Sequence, residues 1–242
     1  ALNNMINSGI KFYVLKYNGY WGFLQYPHHL LSVSSFFLSK LKGQKVANTK
    51  IAKSAIFKGD VYLGEGVQVL ENSKIIGPTY IGKNTLVGNN VVVRESMIGD
   101  NCVLGFTTEI TRSYVGNNSW FHTNYIGDSI IGDNVGLGAG AILANFRLDE
   151  KTISTTIANS KLDTNRTKLG AVVGKNVRIG VNSAIMPGVK IGSESFIGSG
   201  VVLDKDLPDH KAIFVKQDYI IKDNTQHVTK SSREKIKSVL KI

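Results

Sequence analysis

Residues 173–203 read VGKNVR IGVNSA IMPGVK IGSESF IGSGVV L, one block of six after another. Val173, Ile179, Ile185, Ile191, Ile197 and Leu203 open the blocks, and a glycine follows directly at Gly174, Gly180, Gly192 and Gly198. A period of six is neither the 3.6 of a helix nor the 2 of an alternating strand. One aliphatic residue followed by a corner describes a short flat β segment that turns onto the next. Hexapeptide periodicity of this kind predicts a parallel β-helix, its aliphatic residues stacked along the axis in coils ~4.8 Å apart.

Upstream the same pair recurs as Leu63-Gly64, Ile76-Gly77, Ile81-Gly82, Val87-Gly88, Ile98-Gly99, Leu104-Gly105, Val115-Gly116, Ile126-Gly127, Ile131-Gly132 and Leu137-Gly138. Gly-x-Asn triplets end at Asn84, Asn90, Asn101, Asn118, Asn134 and Asn176. Asn and Gly tolerate positive φ best, so each triplet is expected to supply one corner. A β-sandwich fits poorly, since its strands recur every ~8–12 residues.

The coil is assigned to residues 46–204. Residues 1–45 are not repetitive and read as a small α/β unit, with a strand at 11–15 and a helix from Pro27 to Lys42. Residues 146–168 leave the repeat as a polar loop, and long loops on regular scaffolds are often functional. Residues 205–242 form a tail whose stretch 231–242 reads as a short, basic, Ser-capped helix with Ile236, Val239 and Leu240 on one face. The fold class is mainly β.

Composition agrees. Among 242 residues there are 25 Gly and 4 Pro, the balance of a chain that turns often inside regular structure. A lone cysteine, Cys102, excludes a disulfide scaffold and a multi-cysteine metal site. The longest apolar stretch, residues 30–41, is too short to span a bilayer, and no signal pattern opens the chain. A soluble, cytoplasmic protein without a membrane partner is expected. The net charge of +11 points to an anionic partner: nucleic acid, a membrane surface, or phosphorylated substrates and cofactors. No basic–aromatic motif favours nucleic acid, and no nucleic-acid partner is expected.

Of five histidines, His28 and His29 read as surface residues at a helix start. None has a second ligand at metal-site spacing, so no metal is expected. His122 stands among coils with Trp120, Phe121 and Tyr125 close by; an imidazole of near-neutral pKa suits a general base, although spacing alone favours a structural role. The small residues from Gly138 to Ala144, ending in Asn145 and followed by Lys151, would let a ligand approach the backbone. They lack the form of a nucleotide-binding P-loop.

The run His122-Thr123-Asn124-Tyr125-Ile126-Gly127-Asp128, followed by Gly138-Ala139-Gly140-Ala141-Ile142-Leu143-Ala144-Asn145, resembles the acetyltransferase half of bifunctional sugar-1-phosphate nucleotidyltransferase/acetyltransferases. The archaeal branch is most similar, sharing a longer loop that ends much like Asp163-Thr164-Asn165-Arg166-Thr167-Lys168-Leu169-Gly170. The resemblance covers roughly residues 60–220 and implies a left-handed β-helix, usually a homotrimer with its sites between neighbouring subunits. It implies acetyl-CoA as co-substrate and an amino-sugar 1-phosphate as acceptor. His122 matches the general base, while Tyr125, Asn145 and Lys151 match acceptor-site positions, with Arg94 and Arg112 the corresponding basic residues of earlier coils. Ala139, Ser199 and Lys216 fall where that family contacts coenzyme A. Residues 1–42 resemble the closing segment of the nucleotidyltransferase domain, its turn present as Phe23-Leu24-Gln25-Tyr26-Pro27. No nucleotide-binding signature precedes it, so nucleotidyl transfer is not expected of this chain. Three positions depart from the pattern: Gly136 replaces an acceptor-contacting Asn, Ser154 a loop Lys, and Val181 a coenzyme-contacting Ser. They motivate an alternative, a non-catalytic trimerising or regulatory β-helix.

Overall fold

In a computed structural model, which describes residues 1–45, 48–227 and 229–240, three parallel ladders of eight, nine and eight short strands make three faces around one axis. Apart from an inserted hairpin and the last rung, every third strand along the chain returns to the same face, one coil further on. The first face carries inward residues from Leu63 through Ile81, Ile98, Val115 and Ile131 to Val173 and Ile191. The second runs from Val69 through Val87, Leu104, Phe121 and Leu137 to Ile179 and Ile197. The third runs from Ile75 through Val93, Ile110, Ile126 and Leu143 to Ile185 and Leu203. All these side chains are buried and form one continuous core. Each is worth ~1.5–3 kcal/mol by transfer from water, which is what holds such short strands in place.

The corners follow from the same repeat. Asn84, Asn90, Asn101, Asn118, Asn134 and Asn176 all have positive φ, between 53° and 58°. Small hydroxyl residues fill the inward space beside the corners. Thr85 Oγ1 donates to the carbonyl of Gly99 at 2.9 Å, and Ser183 Oγ donates to that of Gly198 at 2.8 Å. A buried hydroxyl that finds a coil carbonyl escapes the cost of an unpaired polar group.

Several sequence expectations need correction. At 74–76 the inward residue is Ile75, not Ile76, because Ile75 keeps the six-residue step from Val69 to Ile81 and Ile76 falls one position past it. The coil is longer than residues 46–204: Gln44–Lys45 already pairs with Val61–Leu63, and Ala212–Ile213 adds a last rung beyond Phe196–Ile197. That last rung escapes the six-residue rule because only 16 residues separate Ile197 from its partner Ile213. Residues 11–15 form no strand; no ladder partner lies beside them, and Tyr13, Val14 and Leu15 are exposed. The leading segment instead holds two helices, α1 (Leu2–Asn7) and α2 (His29–Ser39).

The excursion at 146–168 is more than a polar loop. Ser154–Ile157 and Ser160–Asp163 pair as an antiparallel hairpin, turned by Ala158 and Asn159 at φ 44° and 63°. Ile153 and Leu169 at its base are buried with Leu31 of α2 and Ile130 of the first face, in a second small core. The closing helix α3 (Lys230–Leu240) starts one residue before Ser231, which therefore lies in its first turn rather than at its cap. Lys241 and Ile242 lie outside the described residues.

Candidate active site

His122 occupies a place that glycine holds in five other coils and Leu70 in an earlier one. Gly88, Gly105, Gly138, Gly180 and Gly198 each follow the inward residue of the second face, and His122 follows Phe121 in the same register. Its backbone is clamped. His122 N–H donates to Asn124 Oδ1 at 2.7 Å, and its carbonyl accepts from Thr108 Oγ1. Asn124 is buried and donates in turn to the carbonyls of Gly138 and Ala141 at 2.8 and 2.9 Å. The imidazole itself is exposed beside Trp120, ring centroids 6.4 Å apart and 25° between planes. A fixed backbone carrying a free ring is what a general base needs.

On the neighbouring third face the structure gathers three expected residues into one hydrogen-bonded chain. Tyr125 Oη donates to Asn145 Oδ1 at 3.2 Å, Asn145 Nδ2 donates to Asp128 Oδ2, and Arg112 donates twice to Asp128, both at 2.7 Å. Burial, then the charge of Glu109, pushes the Tyr125 phenol above its ordinary pKa, so it stays a donor. The hydrogen bonds that Arg112 donates to Asp128 raise its already high pKa. Asp128 was not anticipated, although it sits within the quoted His122–Asp128 run. Neither was Gly127: a Cβ there would lie 2.4 Å from Asn145 Nδ2 and 2.8 Å from Tyr125 Oη. The missing side chain is the space across which the phenol reaches the amide.

The other expected residues lie apart from this chain. Arg94 pairs with Glu109 at 3.3 Å, and Glu109 stands opposite Tyr125 in the ladder. Lys151 is exposed in the loop after the Arg147–Asp149 pair, and no described contact joins its side chain to the cluster. Ala139, Val181 and Ser199 follow Thr123 down the corner next to His122, linked by the backbone bonds of Gly140 to Thr123, Asn182 to Ala139 and Gly200 to Val181. There an open groove of about 450 Å³ is lined by Val181, Asn182, Ser199, Gly200, Val215, Gln217 and Tyr219. Lys216 stands exposed in the same tail segment. At Gly136 a Cβ would meet the Arg178 stem at 3.0 Å; that arginine donates to Asn134 Oδ1 at 2.9 Å and covers the place of the absent side chain. His28 corrects its expectation, being only 6% exposed and stacked on Tyr26. Its burial follows from α2 docking on the coil.

Among the described residues no group of three or more His, Cys, Asp or Glu side chains could hold a metal ion. Among them, too, no helix is long and apolar enough to cross a membrane.

Residues 170–205 match the family described as bacterial transferase hexapeptide (six repeats), and residues 47–162 match the GMPPB C-terminal domain. The bifunctional protein GlmU of Methanococcus vannielii is 35% identical over 235 residues, which cover 92% of this chain and 53% of the relative. A protein of the same name from Methanocaldococcus jannaschii is 33% identical over 221 residues, 86% of this chain and 51% of its own length. The bifunctional sugar-1-phosphate nucleotidylyltransferase/acetyltransferase of Sulfurisphaera tokodaii is 32% identical over 210 residues, 84% and 51% respectively. The chain thus spans about half the length of the curated relatives it matches.

Proposed function

We propose that the chain is an acetyltransferase of the hexapeptide-repeat kind, a reading supported by its match to the bacterial transferase hexapeptide family and by its identity to bifunctional sugar-1-phosphate nucleotidylyltransferase/acetyltransferases. The proposed reaction is acetyl-CoA-dependent N-acetylation of an amino-sugar 1-phosphate, with a glucosamine or galactosamine acceptor. Nucleotidyl transfer is not assigned to it.

The observation that carries this reading is His122, the histidine standing in a column of glycines with its backbone clamped and its ring free. In the proposed mechanism the sugar amine attacks the thioester carbonyl carbon, an N–C bond forms, and His122 takes the proton that the nitrogen sheds. Collapse of the tetrahedral intermediate breaks the C–S bond, and coenzyme A leaves as a thiolate that takes up a proton. The groove at Ser199 and Val181 on the same corner supports a coenzyme A arm running up toward His122, with Ala139 and Lys216 beside its course. Tyr125 and Asn145 would orient the sugar, and Arg94 and Lys151 would meet its phosphate. Arg112 contributes by holding Asp128 rather than by a free charge. We further propose a homotrimer in which these groups face one another across the cleft between neighbouring coils.

A thiol-release assay with acetyl-CoA and each amino-sugar 1-phosphate tests the reading. His122→Ala is expected to lower turnover ~10²–10⁴-fold, the usual contribution of a general base. Full activity of that variant would sink the mechanism, and absence of coenzyme A binding by the wild type would favour a non-catalytic β-helix.

A further inference from the structure

A cavity of about 90 Å³ lies between α2 and the corner that joins the third face to the first, lined by Leu31, Ser34, Ser35, Leu38, Glu95, Arg112, Ser113 and Arg166. That exceeds the ~10–15 Å³ that one water requires. Its polar groups are underused. Ser34 lies on the buried face of α2 between Leu31 and Leu38 and is 8% exposed, and its hydroxyl makes no described hydrogen bond while keeping some access to solvent. The buried side-chain atom left unpaired among the described residues is Thr111 Oγ1, beside Arg112. An apolar side chain would fit that helix position better, so the serine calls for a polar ligand.

The two arginines point the same way. Arg112 spends Nε and Nη2 on Asp128, which leaves Nη1 without a described partner. Arg166 donates Nη1 to Ser32 Oγ at 3.2 Å and Nε to the carbonyl of Lys168 at 3.4 Å, both neutral, and forms no ion pair among the described residues. Burial holds its guanidinium below the usual value, and its charge helps to lower the pKa of His28. Two guanidiniums thus face one buried carboxylate, Asp128, while Glu95 stands exposed at the rim. A desolvated guanidinium without an acid partner is costly, and an oxyanion would remove that cost through the free Nη donors.

We propose that this cavity, lined by Ser34, Ser35, Arg112 and Arg166, binds a small tetrahedral oxyanion of the size of inorganic phosphate. Its volume leaves no room for an attached sugar or nucleotide, and it lies under α2 rather than on the open third face with Tyr125. The bound ion would pin α2 and the base of the hairpin, through Arg166, to the corner that carries Arg112 and Asp128. The inference does not depend on acetyl transfer.

Titration of the intact protein with inorganic phosphate, by calorimetry and by thermal unfolding at constant ionic strength against chloride, provides the test. The wild type is expected to bind phosphate saturably and to gain Tm. Arg166→Gln is expected to weaken binding about tenfold or more, the worth of one lost charged hydrogen bond. Ser34→Val, which fills the cavity, is expected to abolish the phosphate effect while keeping the coil intact by circular dichroism. Lys175→Gln, an exposed residue outside the cavity, is expected to leave the effect unchanged. A wild type that responds to phosphate no more than to chloride overturns the proposal. So does wild-type affinity in Arg166→Gln and Ser34→Val, or loss in Lys175→Gln alone.

Discussion

Arg112 and Asp128 meet through two parallel hydrogen bonds of 2.7 Å, and both residues occupy corner positions with positive φ, 46° and 45°. Most positive-φ corners of the coil use Asn or Gly, with Glu95, one coil before Arg112, at φ 50° as another exception. Two charged residues held in the left-handed region are therefore strained, by roughly 1–3 kcal/mol each. The pair that holds them also anchors Asn145, and through it Tyr125. Conformational strain at this corner is coupled to the orientation of the candidate acceptor site.

Asp128→Asn is expected to destabilise the protein by about 2–3 kcal/mol. Removal of one partner from a fully buried pair costs ~3–5 kcal/mol, and Arg112 retains 30% side-chain exposure, which lowers the figure. Equilibrium urea unfolding measures it. In the proposed reaction the same variant should raise KM for the acceptor and leave coenzyme A affinity unchanged. A change below about 0.5 kcal/mol, the usual scatter of surface substitutions, would show that the pair contributes nothing.

Gly127→Ala places a methyl group 2.4 Å from Asn145 Nδ2. Either Asn145 swings off Asp128 or Tyr125 leaves Asn145. The expected result is loss of acceptor affinity with little change in the coil, since Gly127 has no positive φ that a Cβ would strain. Steady-state kinetics and far-UV circular dichroism together check both parts. Unchanged KM would mean that the Tyr125–Asn145 bond does not orient the acceptor.

The docking of α2 should depend on acid. Burial lowers the pKa of His28 first, with the charges of His29 and Arg166 adding to it. A depressed folded-state pKa makes its contribution to stability fully present above about pH 6.5, and lost as pH falls through the folded value. Thermal unfolding between pH 7.5 and 5, on a scale set by that range, should show a falling Tm that His28→Gln flattens. An identical slope in the variant would assign the acid sensitivity elsewhere.

How much of this was legible in the sequence depends on the range of each interaction. The inward rows and the Asn corners were readable because a rung and its turn lie within six residues, from Val173 to Ile179 for example. The run from His122 to Asp128 was readable as a resemblance. The role of Asp128 was not, because its partners Arg112 and Asn145 lie 16 and 17 residues away, one coil on either side. The coil there has shortened from the 18 residues that separate Leu63 from Ile81 to the 16 that separate Val115 from Ile131, so periodicity misaligns the stack. The burial of His28 and the hairpin base was hidden for a related reason: both depend on α2 landing on the outside of the first face. Most of the excess basic charge still has no structural assignment.

Cys102 offers a test of the coil itself. Its side chain is fully buried in the core, its Sγ lies 3.2 Å from the carbonyl of Gly116, and burial pushes its thiol up to about 11. At pH 8 only ~0.1% of such a thiol is ionised, and the thiolate is the reactive form. Iodoacetamide is therefore expected to leave the folded protein unlabelled at pH 8 and to label it fully in denaturant. The raised pKa also sets a sign. The contribution is present below the unfolded value near 9 and is lost as pH rises toward about 11. Alkaline unfolding should therefore begin in that window and shift upward in Cys102→Ser or Cys102→Ala, whichever folds with the higher Tm. Rapid labelling of the native protein at pH 8 would mean that the coil opens at Asn101–Val103, contrary to the continuous ladder on either side of it.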